Sequence, residues 1–208
     1  MKKILVIFLI NLMIGGIAIA DTERKEVKDC FESVNRATFA FNQVLDKSIF
    51  EPIAKGYRKL PSPIRTGTGN VVSNLSNLVT IPNNILQGDL KTAGINTGRL
   101  AINTTLGIMG IFDVAQQMGF VKDYIKEDYG QTLGAWGVGE GCYLVLPILG
   151  PSTARDTVGS LASLLGGDPW YNVTVKNESQ YFKDSDYYIS RITTGVDFRA
   201  KNIGSFDN

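Results

Sequence analysis

A mainly α, single-domain fold is what this sequence predicts, on three observations. Apolar residues recur three and four apart from residue 31 onward, acidic residues able to cap a helix precede two of the apolar segments, and prolines punctuate the chain at 52, 61, 63 and 82. No internal repeat and no Ser/Pro/Gly-rich linker divides the 208 residues, a length suited to one domain.

Residues 1–20 read as a secretory signal. Met1-Lys2-Lys3 is a positive start, residues 4–14 are apolar except Asn11, and Ala18-Ile19-Ala20 is the small-x-small pattern of a cleavage site. The apolar run is shorter than the ~20 residues that span a bilayer, so cleavage before Asp21 is favoured over an uncleaved anchor. Without Lys2 and Lys3, the 21 basic residues fall to 19 against 20 acidic. That balance gives no support to nucleic-acid binding, which needs a basic face.

Residues 21–28 are mostly charged and read as a solvated leader. Asp29 and Glu32 have capping-box spacing, and Phe31, Val34, Thr38, Phe41, Leu45 and Ile49 form one helical stripe, expected by itself to face a core. "NVVSNLSNLVTI", ending at Ile81, reads as a short helix stopped by Pro82. After a turn at "QGD", Asp89 can cap a helix running from Leu90 towards Met109. One face of it carries Ile95, Ile102, Leu106 and Met109; another carries Ala93, Thr97, Ala101 and Thr105, beside Gly94 and Gly98. Small residues at that spacing suit close helix contact, in lipid or in a tight soluble bundle. Between residues 94 and 120 only Arg99 and Asp113 ionise, while Asn and Thr alternate with large apolar residues. Such a soft polar side suits an interface or a passage wall better than an ordinary solvated face.

The stretch "GQTLGAWGVGEGCYLVLPILGPSTARD" (130–156) is the most apolar beyond the leader, and Gly134, Gly137, Gly139, Gly141, Pro147, Gly150 and Pro151 break it. It cannot be one straight spanning helix. "CYLVLPIL" fits only an edge strand or an irregular segment, since Pro147 lacks an N–H.

Composition closes most catalytic routes. There is no histidine, so Ser-His-Asp and Cys-His nucleophiles and histidine-based zinc sites are impossible, and two cysteines cannot form a thiolate cluster. No G-x-S-x-G or P-loop pattern occurs. A carboxylate pair remains open, because its geometry is spatial. No catalytic residue, metal or cofactor is assigned.

"FESVNRATFAFNQVLD" (31–46), "LQGD" (86–89), "NTTLGIMGIFDVA" (103–115), "EDYGQTLGAWGVGEG" (127–141) and "YLVLPILGPSTARD" (143–156), in this order, resemble the VacJ/MlaA family. The resemblance implies a ring of short amphipathic helices around a central amphipathic channel, formed by residues 29–208. It also implies residence in the inner leaflet of the outer membrane beside a porin trimer, on the periplasmic side. Its activity would be the removal of phospholipid that strays into the outer leaflet, for delivery to a periplasmic lipid carrier, with no covalent chemistry. On this reading Ile102, Leu106, Met109, Phe112, Trp136, Tyr143, Leu144 and Leu146 contact lipid, and Gly137, Gly139, Gly141, Pro147, Gly150 and Pro151 turn the chain around the channel. Two alternatives are a structural outer-membrane or periplasmic protein without transport, and a lipid-cleaving enzyme; no lysine lies between residues 130 and 156 to activate a serine.

Three departures from the family pattern stand out. Ala18-Ile19-Ala20-Asp21 occupies the place of the usual lipoprotein cysteine, so a lipid anchor is not expected. Cys30 and Cys142 stand where the family usually has proline, leaving a disulfide or two free thiols as alternatives. The sequence stops at Asn208 where the family usually continues into another helix. Trp170, Tyr171, Tyr181, Phe182, Tyr187 and Tyr188 lie in the poorly matched part, as a head-group belt or as packed core.

Overall fold

The computed structural model describes residues 28–120, 126–163, 167–174 and 183–203. Its elements in order are α1 (Glu32–Leu45), a π-helical turn (Asp46–Phe50), α2 (Glu51–Arg58), α3 (Ser62–Leu86), α4 (Leu90–Thr105), α5 (Val114–Gln117), α6 (Tyr129–Ala135), β1 (Tyr143–Leu146), β2 (Gly150–Thr153), α7 (Ala154–Ala162), α8 (Pro169–Thr174) and α9 (Asp184–Lys201). The mainly α expectation holds. Residues 1–27, with the signal and most of the leader, and Tyr181 and Phe182 lie outside the described residues.

Helix starts follow local chemistry. The side chains of Asp89, Asp113, Asp128 and Thr153 accept from the backbone N–H three residues on, at Thr92, Gln116, Gln131 and Asp156. Each satisfies a donor that the first helical turn leaves unpaired. At α1 the expected capping box is not made: Asp29 accepts from Phe31 N at 3.1 Å, but Glu32 pairs with Arg36 one turn on instead of reaching back. Pro82 does not stop a helix either. α3 runs 25 residues straight through it, forfeiting one bond to a carbonyl four residues earlier, because packing on both sides of α3 holds the rest of the helix.

The packing closes on itself. α1 lies on β1, β1 pairs with β2, β2 touches α7, α7 packs on α6, α6 on α3, α3 on α9, α9 on α2, and the π-helical turn joins α2 back to α1. α4 and α8 also pack against α3, with α5 on α4. Two links of α9 complete the closure. Arg199 donates to both carboxylate oxygens of Asp46, each at 2.6 Å, and the Tyr57 hydroxyl donates to Asp197 at 3.1 Å.

β1 and β2 form an antiparallel hairpin with Tyr143 opposite Thr153 and Leu146 opposite Gly150. Both strands are edges, which reconciles a strand with the prolines. Pro147 lies in the turn, with Ile148 and Gly150 in left-handed backbone at φ 73° and 82°. Pro151, expected at a turn, instead sits in β2 opposite Val145, where a strand with one neighbour tolerates a missing N–H. Gly137 and Gly141 adopt φ 86° and 71°, whereas Gly139 lies in the connecting segment without the left-handed geometry of its neighbours. The expected close contact at Gly94 is absent, since nothing lies within 4 Å of where its Cβ would be. The backbones of α6 and α7 do come this close, a Cβ on Gly159 standing 2.3 Å from Gly130 N.

Candidate functional site

The interior and exterior are inverted relative to an ordinary soluble domain. Among the described residues the largest fully buried side chains are Asn83, Thr80 and Thr132. Phe41, Val44, Ile49, Leu90, Leu106 and Trp136 are exposed. Scattered exposed apolar residues are normal; a polar interior is the informative observation.

These polar residues form cross-links from α3. Asn83 Oδ1 accepts from the Thr132 hydroxyl of α6 at 2.7 Å, and Asn84 Oδ1 accepts from Asn96 Nδ2 of α4 at 3.0 Å. Gln87 Nε2 reaches both Glu127 and Thr132. Burial pushes the Glu127 and Asp128 carboxyls above their ordinary values. Such bonds are what makes polar burial tolerable.

α1 shows the same inversion. Phe31, Val34, Phe41 and Ile49 of the predicted core stripe are exposed, and the inward residues are Asn35 and Asn42. Asn35 donates to Tyr143 O and accepts from Val145 N at 3.1 and 2.8 Å. Two turns later Asn42 donates to Leu146 O and accepts from Ile148 N at 2.8 and 2.6 Å. The two side chains grip the backbone of the hairpin, leaving the apolar stripe outside. Beside them Cys30 and Cys142 are joined by a disulfide.

α4 buries Ala93, Asn96, Arg99 and Asn103, not the Ala93, Thr97, Ala101, Thr105 face read from the sequence. The difference follows from one ion pair. Arg99 donates to Asp113 Oδ2 at 2.7 Å and Asn103 Nδ2 to Asp113 Oδ1 at 3.0 Å, which turns the charged residue inward and the small ones out. Burial alone would raise the Asp113 carboxyl, but Asn103, the Gln116 amide and Arg99 outweigh it and hold it below 3.8. The stabilisation is therefore complete above pH 3.8 and is lost as pH falls through the lower folded value. Asp113→Asn is expected to lower stability by about 3 kcal/mol at pH 7, since it removes the charge paired with a buried guanidinium. Melting curves at pH 7 and pH 3 check this; an unchanged midpoint at pH 7 contradicts it.

Residues 106–112 leave α4 as a strained loop. Ile108 and Met109 both hold positive φ, 52° and 56°, followed by Gly110 at 90°, geometry that costs a non-glycine residue about 1–3 kcal/mol. Asn70 Nδ2 donates to Ile111 O at 2.9 Å and Gly110 N to Asn103 O at 2.8 Å. So held, the loop presents Leu106, Ile108, Met109 and Phe112 outward, each more than half exposed. Beneath it, between α3 and α4, lies a polar cavity of about 130 Å³ lined by Asn70, Asn74, Asn77, Asn103 and the Arg99–Asp113 pair.

Of the residues singled out from the sequence, Leu106, Met109 and Phe112 thus share one exposed loop. Trp136 is exposed too, its Nε1 donating to Leu86 O at 2.9 Å. Ile102, Tyr143, Leu144 and Leu146 are half-buried. Trp170 and Tyr187 belong to a packed cluster, 3% exposed and stacked at 4.5 Å. The asparagines were missed; their signal was the helical spacing of Asn35 with Asn42 and of Asn70, Asn74 and Asn77.

Lys126 is exposed to solvent. Nevertheless the surrounding protein, with Lys201 and Arg191 nearby and Asp197 opposing, pushes its ammonium below 10.5. Among the described residues, no helix is long and apolar enough to cross a membrane.

Residues 27–208 match the family model described as MlaA lipoprotein. The Haemophilus influenzae protein named intermembrane phospholipid transport system lipoprotein MlaA is 30% identical over 209 residues, 98% of this chain and 80% of its own length. The Escherichia coli K12 protein of that name is 35% identical over 156 residues, 72% of this chain and 61% of its own. An uncharacterized Rickettsia prowazekii protein is 42% identical over 137 residues, 65% of this chain and 54% of its own, so this chain spans about half of that relative. A solved structure reported under "Structural basis for maintenance of bacterial outer membrane lipid asymmetry" superposes with a TM-score of 0.70 at 32% identity, covering 86% of each chain. From residue 27 to residue 208, this chain belongs to the MlaA lipoprotein family.

Proposed function

We propose that this protein is an intermembrane phospholipid transporter of the outer membrane, a ring that admits misplaced phospholipid from the outer leaflet and releases it to the periplasm. The observation that carries the reading is a closed circuit of elements with a polar interior and an apolar exterior. A phospholipid requires both: a wet, hydrogen-bonding path for the head group and hydrocarbon contact for the chains. An apolar exterior is favourable among acyl chains, where added charges cost several kcal/mol. The relatives' printed names, which place them in an intermembrane phospholipid transport system, support the same reading.

Its setting would be the inner leaflet of the outer membrane, with a porin trimer beside it and a periplasmic lipid carrier as recipient. In that setting the Gly130–Gly159 contact and the hairpin shape the channel wall, and Leu106, Met109, Phe112 and Trp136 touch lipid. Transport is not enzymatic. Binding and release suffice, with no bond made or broken.

Lipid mass spectrometry on the protein purified in mild detergent from outer membranes tests this. Stoichiometric diacyl phospholipid is expected, falling about tenfold or more in Leu106→Asp, which places a charge against the chains. Recovery of folded, lipid-free protein from the soluble periplasm would overturn it.

A further inference from the structure

The cavity beside loop 106–112 contains two buried acceptors that nothing among the described residues satisfies. Asn74 Oδ1 and Asn77 Oδ1 lack any hydrogen-bond partner, on residues only 4% and 3% exposed. They lie one turn apart on α3 and therefore on one face. Buried polar atoms are nearly always paired, so two adjacent exceptions in a cavity call for a donor from outside.

The cavity restricts what that donor can be. Arg99 and Asp113 neutralise each other, so the walls carry no net charge. A phosphate offers only acceptors, and a trimethylammonium group has no N–H. A primary ammonium or a pair of hydroxyls supplies donors, and about 130 Å³ exceeds what a single water needs several times over. The rim decides what the donor is attached to. Asn70 links the cavity wall to Ile111 of the strained loop, which exposes Leu106, Ile108, Met109 and Phe112 and joins the lining where Phe112 is followed by Asp113. A polar pocket continuous with an apolar lip is complementary to an amphiphile. The strain at Ile108 and Met109 is what turns their side chains outward onto that lip.

Resting on the transport reading above, we propose that this cavity seats the donor-bearing head group, ethanolamine or glycerol, of a phospholipid whose acyl chains lie over loop 106–112. The protein would then prefer phosphatidylethanolamine and phosphatidylglycerol to phosphatidylcholine.

The test offers the full protein an equimolar mixture of these three lipids with identical chains, in mixed micelles, and counts the lipid retained per protein by mass spectrometry. The ethanolamine and glycerol lipids are each expected over the choline lipid by about tenfold, the scale of one well-satisfied buried acceptor. Asn77→Leu should bring the ratios back to those of the mixture while total lipid persists. Asn77→Asp should raise ethanolamine over glycerol by about tenfold, because a carboxylate favours the ammonium. Retention of all three lipids equally by the unaltered protein overturns the seat and leaves the transport reading standing, as ordered water alone in the cavity would give. Preference unchanged in Asn77→Leu, or an unchanged ethanolamine-to-glycerol ratio in Asn77→Asp, places the selective contact elsewhere and also overturns it. If Asn77→Leu does not fold by circular dichroism, the unaltered protein and Asn77→Asp decide. No retained phospholipid at all overturns both the seat and the reading it rests on.

Discussion

The double variant Cys30→Ser/Cys142→Ser is expected to be less stable than the parent by about 4–5 kcal/mol. The disulfide joins residues 112 apart in sequence, and closing so long a loop removes much of the freedom of the unfolded chain. Little of the effect comes from the folded side. The hydrogen bond from Tyr143 N to Lys28 O and the grip of Asn35 and Asn42 on the hairpin remain in the variant. Denaturation midpoints with and without reductant check the prediction, together with thiol counting on the unfolded protein. Two reactive thiols before reduction would contradict it, as would a midpoint that reductant leaves in place.

Asp168→Ala is expected to cost about 3–5 kcal/mol, the usual effect of removing one partner from a buried charge pair. Asp168 is 3% exposed. One carboxylate oxygen accepts from Trp170 N and Tyr171 N at 2.9 and 3.3 Å. The other accepts from the Tyr187 hydroxyl at 2.6 Å and from the Arg191 guanidinium. Without it, Arg191 loses its ion pair and is left against the Tyr187 and Trp170 rings, at 5.0 and 5.7 Å from its guanidinium carbon, a weaker attraction than an ion pair. Asp168→Asn should cost less, since one oxygen can still accept. Burial raises the Tyr187 phenol, Arg191 partly offsets this, and Asp168 raises it further. With its folded pKa above 10.0, the cluster keeps its full stability below pH 10 and loses it as pH rises beyond. Chemical denaturation of the two variants at pH 7 checks the order; an Ala variant as stable as the parent contradicts it.

The helical class was legible because spacing and capping are local: Asp89 caps α4 as its sequence position suggests. Which face turned inward was not. The rule that apolar stripes seek a core presumes water outside, and in α1 it selected the face that the structure exposes. The asparagine face of α1 reads as surface in sequence, and only the opposing hairpin backbone reveals its use. Arg99 is similar, because its partner Asp113 lies beyond a loop whose geometry no propensity indicates. Pro82 misled for a related reason. A local stop signal lost to long-range packing that held both halves of α3 together.

Closure by α9 also sets an order in time. Arg199 must find Asp46 across 153 residues, so the circuit cannot be completed until the chain has been synthesised through α9. Contacts of such separation are slow to form. Until they do, Asp46 lacks Arg199 and Tyr57 lacks Asp197, and so incompletely packed a state is prone to aggregation. A holding factor that keeps α1 and α2 from other chains until α9 arrives would therefore raise the yield of folded protein without altering its final stability.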